Sequence, residues 1–444
     1  MSSFIERPRY YCSLGGAMGT ASSLPATIPI LHAAGGCAGN IVWTQNGGSA
    51  LQVGGYCGGL NVPSSNVQER EVVFGGAARL QEQIENTLEV MNGQLFVVLT
   101  SCVTEVIGDD VRAVVAEFRE RGVPIVAAET GGFKGNSYYG YDLVLKALFA
   151  DYLESGPEKV KGKVNLLGIV PFMDVFWRGN LEGLRCLLEG LGLEVNTFFT
   201  AQDNLEAIKQ AASAELNIVV SDVYGVEAAQ AFQDIHGTPY ILTPLPIGPA
   251  ASDAFLRQVG TALSLNQDII ETFIDHENQL YYTYLEPLIE CYNDLDLQRY
   301  AAVIGDANYS VAITRFLSDD LGWLPELVVF TDQLNESQEK SLGERTIHLE
   351  SGLTPKVVFE TDTSEIIRHL EFLGNPSGKY NNPLSPAFVV GSSLDRELAQ
   401  KIGAPHLSVS FPVANRAIID RSYTGYRGGL RLMEDLLSAI IAGR

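Results

Sequence analysis

Short apolar runs of strand length alternate with stretches of helical periodicity along the whole of this chain. That alternation confines it to parallel sheets covered by helices on both faces, an α/β fold of the doubly wound kind. Ile28–Ala33 (IPILHA) and Gln94–Thr100 (QLFVVLT) read as strands, Asp109–Gly122 as a helix and Val123–Ala128 (VPIVAA) as the next strand. Asp109 or Asp110 is placed to cap that helix, and Gly122 to end it. A second series follows: Lys163–Val170, a helix over Leu181–Leu191, then Leu193–Phe199, Leu216–Ser221 and Thr238–Leu242. A third runs through Tyr300–Ile304, Glu326–Phe330, Ala387–Gly391 and His406–Ser410 to a closing helix near Gly428–Ala442. At 444 residues the chain is too long for one core. Seams at Tyr152–Lys163 and Ile289–Gln298 predict three Rossmann-like domains, 1–160, 161–295 and 296–444.

Charge narrows the choice of partner. The 53 acidic and 30 basic residues leave a net charge of −23, which repels phosphate backbones and argues against nucleic acid. No run approaches the ~20 apolar residues that span a bilayer, and Met1–Arg9 carries no signal pattern. A cytoplasmic protein without a membrane partner is expected. Its six cysteines would then stay as thiols or metal thiolates, because a reducing compartment disfavours disulfides.

Four of those cysteines lie in the first 102 residues. Cys12 stands in YCSLGG, Cys37 in AGGCAGN, and Cys102 directly after the QLFVVLT strand. Two glycine-rich loops and a strand-end loop are predicted there, and ligands of open parallel sheets gather beyond the strands' carboxyl ends. A lone cysteine more commonly packs as a small hydrophobe. Cys186, among leucines in LEGLRCLLEGLG, is read that way, and Cys291, at a polar helix end, is read as belonging to no site. Cys57, in the glycine-rich GGSALQVGGYCGG, is a weaker ligand candidate. No Cys-x₂-Cys pair suggests zinc, whereas single cysteines far apart suit iron gathered by tertiary structure. Three thiolates are one short of the four that close an ordinary cluster, so a second chain would complete the set.

Other chemistry finds little support. Neither a G-x-G-x-x-G nor a G-x₄-G-K-[ST] loop is present, so no nucleotide site is expected. The six histidines are scattered; His32 reads as a satisfied structural residue, and Asp109 and Asp110 as caps or ion-pair partners rather than an acid/base pair.

The first 142 residues resemble the β subunit of nitrogenase component 1. The resemblance is carried by Cys12-Ser-Leu-Gly-Gly-Ala, Gly36-Cys37, Glu69-Arg-Glu-Val-Val-Phe-Gly-Gly76, Ser101-Cys102-Val-Thr-Glu-Val-Ile-Gly-Asp-Asp110 and Phe133-Lys-Gly135. It continues more loosely through Pro246-Ile-Gly248, Phe411-Pro412, Arg416 and Thr424-Gly-Tyr426. What it implies is a nitrogenase component 1 fold of three Rossmann-like domains. Cys12, Cys37 and Cys102 would be the β-side ligands of a P-cluster, an eight-iron, seven-sulfide relay shared with an α-type subunit in an α2β2 heterotetramer. Phe74 would lie where an ATP-dependent iron protein homodimer docks, or else pack in the core. Two departures stand out. A serine that often follows the motif's threonine by two residues is here Gly132, which puts redox switching by that oxygen in doubt. No cysteine interrupts Ile218–Tyr224, where an α-type chain would ligate its own cofactor. The resemblance therefore implies an electron-relaying β-type subunit of a nitrogenase-like reductase, with methylthio-alkane carbon–sulfur cleavage as its leading chemistry. Alternatives are a dinitrogen-reducing nitrogenase, a cofactor-assembly scaffold and, more remotely, a tetrapyrrole reductase.

Overall fold

The computed structural model describes residues 4–52, 60, 62–295, 297–373 and 388–442. Twelve strands are present among them: β1 (Thr27–His32), β2 (Leu95–Thr100), β3 (Ile125–Ala128), β4 (Val160–Leu167), β5 (Glu194–Asn196), β6 (Ala214–Val219), β7 (Tyr240–Leu242), β8 (Tyr300–Gly305), β9 (Leu324–Phe330), β10 (Lys356–Phe359), β11 (Phe388–Gly391) and β12 (His406–Ser408). They form three sheets, ordered β1-β2-β3, β5-β4-β6-β7 and β10-β9-β8-β11-β12. Every described ladder is parallel.

The apolar runs become parallel strands because both faces of each sheet are covered. Along β2, Leu95, Val97 and Leu99 enter the large core that continues through all three sheets. Phe96 and Val98 point the other way, into a separate core with Ile30, Leu80, Ile84 and Phe118. β8 repeats the device: Ala301 and Val303 face the large core, Ala302 and Ile304 a third cluster. A period of two therefore yields two buried faces, not one wet and one dry.

Helix packing then brings the N-terminus to the first sheet. The Ser13–Ser23 and Ser137–Asp151 helices meet backbone to backbone. A Cβ on Gly16 would sit 1.6 Å from the Ser137 carbonyl oxygen, and one on Gly140 2.1 Å from that of Ser13. Only glycine admits such an approach. Among the described residues no helix is long and apolar enough to cross a membrane.

Candidate functional site

Cys12, Cys37 and Cys102 each stand at a helix N-terminus. Cys12 is the N-cap of Ser13–Ser23, and Cys102 begins the short Cys102–Ile107 helix behind its cap, Ser101. Cys37 lies in the first turn of Gly35–Gly48. The loops expected around Cys12 and Cys37 are thus helical from the following residue onward or throughout. Gly35–Gly48 buries only Ile41, Gln45 and Gly48, so it carries too little apolar periodicity to announce itself. Its anchor is polar: Gln45 Nε2 donates to the Gly15 carbonyl at 3.0 Å, tying the Cys37 helix to the Cys12 helix.

Gly132 sits between two of the sulfurs. Its N–H donates to Cys102 Sγ at 3.0 Å, and a Cβ built on it would lie 2.9 Å from Cys12 Cβ and 3.1 Å from Cys102 Sγ. The third thiol shares their field. Burial pushes the Cys37 thiol up, and negative charge at Cys12 and Cys102 pushes it further. Cys12 and Cys102 are exposed and Cys37 is half-buried. A Cβ on Gly36 or Gly39 would meet nothing within 4 Å, so the ground beside Cys37 is open. Among the described residues no three His, Cys, Asp or Glu side chains gather tightly enough to hold a single metal ion.

The supports beneath the sulfurs are residues that spacing alone did not single out. Glu105 accepts from the Thr100 hydroxyl at 2.5 Å and the Gly131 N–H at 2.7 Å, and pairs with Lys134 at 3.2 Å. It thereby holds the Gly131–Gly132 peptide against Cys102. Ser13 Oγ donates to the Thr130 and Gly131 carbonyls, binding the same loop to the Cys12 helix. Thr104 Oγ1 donates to the His32 carbonyl at 2.9 Å, joining the Cys102 helix to the end of β1. Thr104 and Glu105 belong to the Cys-x-Thr-Glu run; the one available signal was that motif, which names residue types without their partners.

His32 and Asp109 behave as the sequence suggests. His32 is fully buried between Ser65 Oγ (2.9 Å) and Asp109 Oδ2 (3.0 Å), and burial lowers its pKa against the opposing pull of Asp109. Asp109 also accepts from the Gly76 N–H at 2.6 Å, fixing the turn after Phe74, while Asp110 caps Val111–Glu120. Phe74 itself is 83% exposed, which decides against core packing. Its helix, Glu69–Phe74, packs on Cys102–Ile107, whose Val106 is also exposed. Phe133 beside Gly132 and Trp43 on the Cys37 helix are exposed as well, so each cysteine has apolar surface next to it.

One cysteine departs from expectation. Cys186 is exposed, not buried: Leu181, Leu184 and Leu188 take the core face of Trp177–Gly190, and Cys186 falls on the opposite one. Cys291 is exposed too. Cys57, with the stretch 53–59, lies outside the described residues.

Three parallel sheets, with Cys12 and Cys102 meeting at one glycine on an open edge and Cys37 in their field, define the general class, a parallel α/β protein with clustered thiols. A sequence profile for nitrogenase component 1 type oxidoreductases matches residues 12–441, and the chain belongs to that family. It is 22% identical to the nitrogenase vanadium-iron protein beta chain of Trichormus variabilis, over 99% of this chain and 94% of that one. Against the nitrogenase molybdenum-iron protein beta chain of Methanococcus maripaludis it is 23% identical, over 98% and 94%. The solved structure of nitrogenase Cp1 at pH 6.5 has the same fold, with a TM-score of 0.79 at 18% identity, covering 100% of this chain and 94% of that one.

Proposed function

We propose that this chain is the β-type, electron-relaying subunit of a nitrogenase-like reductase, and that Cys12, Cys37 and Cys102 hold its half of a P-cluster shared with an α-type subunit. The observation that carries the reading is the meeting of two thiols distant in sequence, Cys12 and Cys102, at the Gly132 backbone, with Cys37 near enough to feel the charge of both. The donor set fits such a group. The thiols are soft ligands on an open face, and their spread is too wide for one ion but suits a larger iron–sulfur unit. When bound, the cluster supplies one-electron storage. The rest is the work of this chain. The Gly132 N–H stabilises charge on Cys102 Sγ, a known lever on cluster potential. Glu105, Ser13 and Thr104 keep the sulfur-bearing segments in register.

The exposed apolar side chains divide between two partners in this reading. Those beside the sulfurs meet the α-type subunit of an α2β2 assembly; Phe74, carried on a turn pinned by Asp109, meets an ATP-dependent iron protein homodimer. The assembly is cytoplasmic, and its three folding units have limits near residues 160 and 295. The departures from the family pattern taken together, Gly132 in place of serine among them, are the ground for putting methylthio-alkanes before dinitrogen as the substrate class reduced at the partner's cofactor.

Anaerobic co-purification with an α-type subunit tests the assignment. Cys12→Ala, Cys37→Ala and Cys102→Ala each lower iron per αβ pair and change the cluster's spectrum. Full iron content and an unaltered spectrum in the Cys102→Ala assembly would sink the ligand assignment. Supplying the intact complex with methylthio-ethane or with dinitrogen, and measuring thiol against ammonia, decides the substrate.

A further inference from the structure

Away from the thiols, three carboxylates are enclosed without a cation. Asp174, Asp306 and Asp332 are 8%, 3% and 4% exposed, and among the described residues none forms an ion pair. Asp332 accepts from Tyr224 Oη at 2.7 Å and the Ala307 N–H at 2.6 Å. Asp306 accepts from Ser410 Oγ at 2.7 Å and from the Asn308 and Tyr309 N–H groups. Asp174 accepts from Tyr309 Oη at 2.8 Å, Asn180 Nδ2 at 3.0 Å and the Phe176 N–H. Burial, with the charge of Asp306 added, pushes Asp332 up to about 7; burial pushes Asp174 up to about 6.

A cavity of about 10 Å³, room for roughly one water, lies among Asp174, Asp306, Tyr309, Tyr138 and Tyr224. Tyr138 is only 5% exposed and feels the charges of all three acids, yet its hydroxyl makes no hydrogen bond to the described residues. It stacks on Tyr224 at 4.4 Å. Tyr138, Tyr224 and Asp332 also line a second cavity, of about 1050 Å³, and Cys12 lines that same cavity. The other charged groups there have partners of their own: Asp142 accepts the Gly225 and Ala228 N–H groups, Asp222 pairs with Arg345, Glu227 pairs with Lys146, and Lys134, the cation on this wall, pairs with Glu105 and Glu129. Tyr10 also faces Asp332.

Two neighbouring carboxylates with no cation cannot both stay ionised cheaply in a buried site, and one proton relieves them. We propose that Asp306 and Asp332 form a single-proton site that exchanges with the Cys12 cavity through Tyr224 and Tyr138, so that negative charge gained at the sulfurs is offset by proton uptake there. The proton comes from solvent through water in the cavity, one O–H bond of a hydronium breaking as an O–H bond forms on the carboxylate; the electron it offsets would be supplied by the iron protein to the group that Cys12, Cys37 and Cys102 would hold. That use of the proton rests on the metal-centre reading, whereas the proton site does not.

Infrared spectra of the folded, metal-free chain in H₂O and D₂O test the site. Near neutral pH a carbonyl band of neutral carboxylic acids is expected, fading as pH rises, and Asp332→Asn should lower its intensity, the remainder coming from Asp320 and Glu326, which burial also pushes up to about 7. Because folding raises this carboxyl's proton affinity, its stabilising contribution is greatest at low pH and is lost as pH rises through the folded value. Wild type should therefore lose more stability than Asp332→Asn between pH 5 and 8. Should Asp332→Asn not fold, Tyr224→Phe removes a donor to the charged form, and the band should persist to higher pH. An unchanged band in Asp332→Asn, or no upward shift in Tyr224→Phe, overturns the proposal. In the iron-loaded assembly the midpoint potential should fall with pH in wild type and less steeply in Asp332→Asn; equal slopes overturn the coupling. An assembly that binds no iron overturns the metal-centre reading, and with it the use of the proton, but not the proton site.

Discussion

The edge that carries the cysteines and the seam where the three sheets meet are built on opposite principles. At the edge, Cys12 and Cys102 are exposed, and Phe74 and Val106 stand in solvent. At the seam, Phe176, Tyr309 and Tyr423 are fully buried, and Tyr309 and Asn180 converge on Asp174. The seam is complete within one chain. The edge is held from beneath, by hydrogen bonds from Glu105, Ser13 and Thr104 and by the packing of Cys37, Ala38 and Val42 on the core, while Cys12, Cys102 and Phe74 stay exposed. Order can thus be built locally at a face left open to solvent.

If that contrast is right, mutations at the seam act on folding and those at the edge act on assembly. Phe176→Ala, at 1% exposure, should cost about 3–5 kcal/mol in denaturant titrations. The pH dependence of stability reports the enclosed acids next. Burial raises Asp142 to about 6 against two opposing backbone N–H bonds, so its contribution is full below its ordinary value and disappears as pH rises through about 6. Asp142→Asn should flatten the decline between pH 4 and 7 by an amount on the order of 3 kcal/mol. An equally steep decline in that variant would show that other acids govern it. Glu105→Ala leaves the Gly131 N–H without its acceptor and should lower stability by about 1–3 kcal/mol. It should also lower iron uptake, which a seam mutation of equal cost would not do at a temperature where both are folded. Phe74→Ala should shift stability by no more than ~0.5 kcal/mol while weakening docking of the iron protein, as measured by titration binding. A large loss of stability there would erase the distinction between the two regions.

Much of the fold was legible because parallel strands buried on both faces leave continuous apolar runs. QLFVVLT, LNIVVS and YAAVI became β2, β6 and β8 with ends shifted by a residue or two. Asp110 and Gly122 did cap and end their helix; Gly122 adopts φ 83, open to a residue without Cβ. Helices held by polar or backbone contacts were not legible. Gly35–Gly48 hangs on Gln45, which leaves no hydrophobic period, while Ser13–Ser23 buries Leu14, Ala17, Met18 and Ala21 at helical spacing but carries the glycines that read as a loop. The Cys186 error has the same origin: a leucine-rich helix says that one face is buried, but which residues share that face depends on the angle at which it meets its neighbours. At the site, motif residues marked Cys12, Cys37 and Cys102, but gave no role to Glu105 or Ser13.

By itself, then, the order of residues determined the three-sheet class, the family, and which cysteines stand at strand ends and glycine-flanked turns, because periodicity and short-range chemistry are local properties of the chain. Only the tertiary structure decided that Cys12 and Cys102 meet at Gly132, that Phe74 faces solvent, and that Asp306 and Asp332 are enclosed without a cation among the described residues. Each of those facts joins residues from separate elements, and distance across a fold is set by packing, which no stretch of sequence contains.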